Sequence, residues 1–153
     1  MAMRAETNEL SRFRRLAVRH GLSPGVLHAS RFADFAVVMA AAALAIDAKR
    51  EYSEAEVNAL LKAWLAGAGA MLATDHVELR RWLVDCCLVS RDGFGRRYAR
   101  AATPPAFATA LEDLAGVDLA AIVREARSAD AVSRAERKAR WESTQDPSHA
   151  PRR

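Results

Sequence analysis

The stretch from Tyr52 to Tyr98, YSEAEVNALLKAWLAGAGAMLATDHVELRRWLVDCCLVSRDGFGRRY, decides the fold. It opens on Ser53-Glu54-Ala55-Glu56, the spacing of a capping box. The Ser53 hydroxyl is placed to accept from an early helical N–H, and the Glu56 carboxylate to reach back to the N-cap. Val57, Leu60, Leu61, Trp64 and Leu65 then recur at the spacing of one helical face. Gly67 and Gly69 end that helix, and residues 66–73 form a loop of small residues. Asp75 and Glu78 repeat the capping spacing at a second helix start. On that helix Leu79, Trp82 or Leu83, and Cys86 mark the inner face, and Arg80, Arg81 and Asp85 are left mostly outward. Residues 88–91 and 97–100 are short strand candidates. Asp92-Gly93 between them is a hairpin signal, and Phe94 and Gly95 lengthen the turn. Helix, loop, helix and basic hairpin, in that order, are the parts of a winged helix–turn–helix. The expected fold is mainly α: a winged helix–turn–helix core with a small β-hairpin wing and flanking N- and C-terminal helices. The 66–73 loop is longer than the turn of about 3–4 residues that a standard helix–turn–helix uses.

Upstream, residues 8–20 form a short helix with Leu10, Phe13, Leu16 and Ala17 on one side and arginines on the other, stopped at Gly21. Ser23-Pro24 starts a new element. Residues 30–48 give a helix with Ser30 as N-cap and a wide apolar stripe of Phe32, Phe35, Val38, Met39, Ala42 and Ile46. Its remaining faces are mostly alanine, which suits the central helix of a core. Downstream, Thr103-Pro104 opens a helix with Pro104 at its first position, the stripe Phe107, Leu111, Leu114, and a stop at Gly116. Asp118 caps a last helix carrying Leu119, Ile122, Ala126 and Ala129. Its apolar stripe fades beyond Val132 into the charged residues 133–142. The 153 residues thus read as one domain over 8–142, with a core at 45–100, flanking helices at 8–48 and 103–142, and disorder expected at 1–7 and 143–153.

Hydrophobic residues make up 51% of the chain, enough for a core. The longest apolar run, residues 35–46, is far short of the roughly 20 residues of a membrane span, so no membrane association is expected. The start of the chain lacks a signal-peptide pattern. The only two cysteines, Cys86 and Cys87, are adjacent and offer no disulfide framework, as suits the cytoplasm.

Tyr52-Ser53-Glu54-x-Glu56-Val57-Asn58-x-x-Leu61, Leu79-Arg80-Arg81-x-Leu83-Val84-Asp85, and Leu88-x-x-Arg91 followed by Tyr98 resemble the bacterial domain-of-unknown-function 2087 family. The resemblance covers about residues 45–100. It implies a small winged-helix domain, of a kind that in some family members is fused to ArsR-type helix–turn–helix repressors. Two departures stand out. Trp82 takes a position that is often acidic, and Cys86-Cys87 replaces an aromatic–glycine pair, removing the glycine that a standard helix C-cap would use.

The residues expected to touch a partner are Arg80, Arg81, Arg91, Arg96, Arg97 and Arg100. Arginine holds phosphate or a guanine edge in bidentate fashion, and a helix with a wing beside it presents such groups on one side. The net charge of only +4, and the nearby Glu78, Asp85 and Asp92, keep a merely solvated surface in play. The leading expectation is a cytoplasmic, DNA-binding transcriptional regulator-like protein that binds duplex DNA, with a homodimer matching a palindromic site. Its dimer surfaces would be the Ala-rich central helix and the 119–129 stripe. One alternative is a winged-helix module that binds another protein and no nucleic acid. The other is a thiol- or metal-responsive switch at Cys86-Cys87. His76 lies ten positions before Cys86, about 15 Å along a helix, so one chain cannot readily close a metal site with both. The sequence carries no GxSxG, HExxH, P-loop or dinucleotide fingerprint, so neither an enzyme nor a cofactor is expected.

Overall fold

The computed structural model describes residues 5–145. Its elements, in chain order, are α1 (Asn8–Ala17), α2 (Pro24–Ser30), α3 (Phe32–Leu44), β1 (Glu51–Ser53), α4 (Glu54–Ala66), α5 (His76–Asp85), β2 (Val89–Arg91), β3 (Arg97–Arg100), a 3₁₀ turn at Pro105–Phe107, α6 (Ala108–Leu114) and α7 (Leu119–Thr144). The three strands form an antiparallel sheet in the order β1-β3-β2. The run α3-β1-α4-α5-β2-β3 is a winged helix–turn–helix, and the fold as a whole is mainly α with a small β wing.

Helix α3 is the axis of the packing. Every residue from Phe35 to Ala43 is buried, at 0–6% exposure. A helix apolar all round has no solvent face to offer, and alanine lets neighbours approach closely on each side. Helices α1, α2, α5 and α6 and the 3₁₀ turn all pack on it. Phe35, Leu61, Trp64 and Leu83, from α3, α4 and α5, share this core. His28, Phe32, Phe35, Trp82 and Phe107 form an aromatic cluster at its edge, with His28–Phe35 ring centroids 5.0 Å apart and Phe35–Trp82 5.2 Å apart. This burial also removes the premise that α3 offers spare apolar surface to a second copy.

Several boundaries differ from the sequence reading. Helix α1 ends at Ala17, before Gly21, and its N-cap is Thr7, whose hydroxyl accepts from the Leu10 N–H. Ser30 does not cap α3. It is the last residue of α2, and its hydroxyl donates to the Val26 carbonyl at 2.7 Å, the local back-bond that serine favours. Strand β1 was not anticipated, because three residues are too few to show alternation. It turns Tyr52 inward, where the phenol oxygen accepts from the Asp47 N–H at 3.0 Å. Pro105, not Pro104, begins the turn that leads into α6. Asp118 does cap α7, accepting from the Ala121 N–H, but that helix runs on to Thr144. Residues 1–4 and 146–153 of the segments expected to be disordered lie outside the described residues.

Helix α7 docks by its first turns only. Leu119, Val123 and Ala126 are buried, and Arg127 donates to the Ala17 and Arg19 carbonyls at 2.8 and 3.2 Å, closing the end of α1. Every residue from Arg134 to Gln145 is exposed. No helix among the described residues is long and apolar enough to cross a membrane.

Candidate nucleic-acid interface

The helix–turn–helix is held by local chemistry that the sequence announced. Both arms of the Ser53–Glu56 capping box form, at 3.1 Å each. The Ser53 N–H, then the Ser53 hydroxyl contact, hold the Glu56 carboxyl below its ordinary range, with Arg50 adding to the effect. At α5, Asp75 accepts from the Glu78 N–H at 2.8 Å, while Glu78 turns aside to accept from the Thr74 hydroxyl. Residues 67–75 are far longer than a standard turn, yet they are pinned. Leu22 donates to Met71 and accepts from Ala73, at 2.9 and 2.8 Å, and Met71 is fully buried. A Cβ on Gly69 would stand 2.2 Å from the Trp64 ring, so this close approach of loop to ring requires glycine.

The end of α5 is capped without glycine. Leu88 N–H bonds the Leu83 carbonyl and Cys87 N–H the Val84 carbonyl, both at 3.0 Å, which is the full Schellman pairing. Cys87 takes the left-handed position at φ 61°, the only non-glycine residue with positive φ among the described residues. The departure at Cys86-Cys87 therefore keeps the cap geometry and adds backbone strain. Cys86 is half-buried; burial first, then the charges of Asp85 and Cys87, push its thiol up to about 11. A thiol held protonated is a poor nucleophile and a poor soft-metal ligand at neutral pH. His76 opens α5 and Cys86 closes it, so they do not meet.

The six arginines divide into distinct roles. Arg80 does not face outward. Its side chain is only 14% exposed, its Nη1 donates to Glu54 at 3.0 Å and to Asn58 at 2.6 Å, and its guanidinium lies over the Tyr98 ring at 5.4 Å. It ties α5 to α4 and β3. Its position on α5 is turned toward α4, where the two acceptors wait. Arg97 is exposed but paired with Glu51 at 3.2 Å. The strand register explains this: Ser53 stands opposite Arg97, so Arg97 and Glu51 share the outer face of the sheet. On the inner face, Arg91 stands opposite Tyr98 and Arg100 opposite Val89. Arg81, Arg91 and Arg100 carry no ion pair among the described residues. Arg80, Arg81 and Arg91 line a pocket of about 270 Å³ between α5 and the wing, with Val84, Asp85 and Tyr98 completing it. Arg96 sits at the wing tip over the Phe94 ring, 5.9 Å from its centroid.

Two residues that matter here escaped the sequence reading. Asn58 fixes Arg80, and the buried Tyr98 forms the floor beneath Arg80 and Arg91. Asn58 and Tyr98 both belong to the family-like motif, but only three-dimensional proximity gives them these roles.

Residues 29–100 match the family model described as an uncharacterized protein conserved in bacteria, DUF2087. Over these residues the chain is similar to the DUF2087 family. The DUF2087 match begins within α2 and takes in α3, which the quoted motifs did not reach, and it ends at the last residue of β3. The DUF2087 region is therefore the winged helix itself with its central core helix. No curated protein matches the chain, and no solved structure does.

Proposed function

We propose that this protein is a DNA-binding regulator that holds duplex DNA between α5 and the wing, with no catalytic role. One observation carries the reading: Arg81 and Arg91 converge from a helix and a strand on one pocket, and neither is neutralised by an ion pair among the described residues. Unpaired guanidiniums on a pocket of this size suit a backbone phosphate, which fixes register before any base is read. Arg100 extends the same face, and Arg96 extends it to the wing tip. Arg80 supports the pocket from beneath, and Arg97 is largely spent on Glu51. The effective grip is four arginines rather than six. Cytoplasmic location belongs to the same reading, and so does a dimer that draws on the exposed distal half of α7, where Val132 and Trp141 stand in solvent.

The supporting experiment is a fluorescence titration of a mixed-sequence duplex at about 50 mM salt. Measurable binding that weakens on adding salt supports the reading. Absence of binding at that salt removes it.

A second reading has its own observation. The outward side of α5 holds partly exposed Val77 and Val84 around Arg81, with the carboxylates of Glu78 and Asp85 alongside. A face with two valines, one cation and two anions suits a protein partner better than a DNA groove.

A further inference from the structure

The wing tip carries a feature that phosphate contacts leave unused. Phe94 is 85% exposed, the most exposed large apolar side chain among the described residues. Its support is built rather than loose. The Asp92 carboxylate accepts from the Arg96 N–H at 2.7 Å, the Gly95 N–H donates to the Asp92 carbonyl at 3.1 Å, and the Asp92 N–H donates to the Arg97 carbonyl at 3.1 Å. Gly95 takes φ +66°, a conformation that lets the chain reverse beneath the ring. The Arg96 N–H, with smaller contributions from Arg97 and Phe94, holds the Asp92 carboxyl below its ordinary range. The turn thus holds a bare phenyl ring at the furthest point of the hairpin.

The surroundings of the ring carry an excess of positive charge, with the Asp92 carboxylate turned onto the backbone and Glu51 paired with Arg97. The Arg96 guanidinium lies over it, and Arg91 and Arg97 flank the base of the turn. An apolar wedge set among cations complements an apolar stack set between rows of anions. The minor groove of duplex DNA has that character, with a width of about 6 Å between its phosphate rows. Apolar side chains inserted there part a base step and bend the duplex. A membrane surface is also apolar beneath anions, but a single ring buries too little area to hold a protein on it. We infer that Phe94 enters the minor groove as a wedge between base pairs, with Arg96 on the adjoining phosphates. This rests on the DNA-binding reading and adds a point of entry and a deformation to it.

The test uses the full chain and short duplexes carrying 2-aminopurine within an A·T-rich centre. A wedge unstacks the probe, so wild-type binding raises its fluorescence. Phe94→Ala abolishes that rise and weakens binding by about five- to a hundred-fold, the range seen when aromatic–base contacts are removed. Phe94→Leu, still apolar, keeps much of the rise. Because the ring is in solvent, the variants fold as the parent does, which circular dichroism checks. Wild-type binding with no fluorescence change, or with a change that Phe94→Ala retains, overturns the wedge and leaves the DNA-binding reading standing. Failure of the wild type to bind the duplex removes both. Phe94-dependent sedimentation with anionic phosphatidylserine vesicles, without a response on DNA, overturns the wedge in favour of a membrane surface.

Discussion

At Arg80 the guanidinium satisfies Glu54 and Asn58 and covers Tyr98, whereas at Arg81, one position on, it meets only solvent and the pocket. Replacing Arg80 with alanine leaves Asn58 and Glu54 without their donor and should cost about 1–3 kcal/mol of stability. Arg81→Ala should stay within about 0.5 kcal/mol, as exposed substitutions do, and lose DNA affinity instead. Urea unfolding of the two variants checks this, and equal losses would mean that Arg80 is not the anchor described. Cys87 offers the converse case. It holds a left-handed backbone without glycine's freedom, so Cys87→Gly should raise stability by about 0.5–1 kcal/mol, read from the same unfolding midpoint. A loss on that substitution would show that the thiol side chain contributes more than the strain removes. The neighbouring Cys86 thiol is favoured in its neutral form by the fold. Its contribution is complete below the ordinary value of 9.0 and fades as pH rises through about 11. At pH 8 it should react with a thiol reagent roughly a hundredfold more slowly than an unperturbed thiol, while exposed Cys87 reacts first. Equal rates for the two would contradict the burial assigned to Cys86.

At the scale of elements, the recognisable parts were those whose signal is local. Ser53 and Glu56 lie three residues apart and bond each other, so the capping box is visible in the sequence; the same holds for Asp75, Asp118 and the Asp92-Gly93 turn. Strand β1 was hidden because its partner, β3, lies more than forty residues away and three residues show no period. Ser30 was misread because serine serves equally as an N-cap and as a back-bonding helix residue, and only the break at Arg31 decides which. The candidate site shows the same division. That arginines cluster near α5 and the wing was legible. Which of them are free was not, since Glu54 and Asn58 reach Arg80, and Glu51 reaches Arg97, through tertiary contacts. The loop between α4 and α5 gives a prediction of its own. Gly69→Ala forces the Trp64 ring to move and should cost about 1–3 kcal/mol, with the unfolding midpoint as readout. A neutral result would mean that Trp64 has room that its packing does not suggest.

For the whole molecule, α3 and the helices packed on it, α5 among them, make one core block that carries the wing, and the long α7 leaves that block after Arg127. The block positions the arginines of α5 and the wing. The claim that they grip duplex DNA is tested most directly by the salt dependence of affinity, compared between the wild type and an Arg81→Ala/Arg91→Ala double variant. Each phosphate contact contributes about −0.9 to the slope of log affinity against log salt. With Arg81, Arg91, Arg96 and Arg100 engaged, the wild-type slope should lie near −3 to −4 at most, flattened by roughly two units in the double variant. The same slope in both proteins, or no binding by the wild type near 50 mM salt, would contradict it.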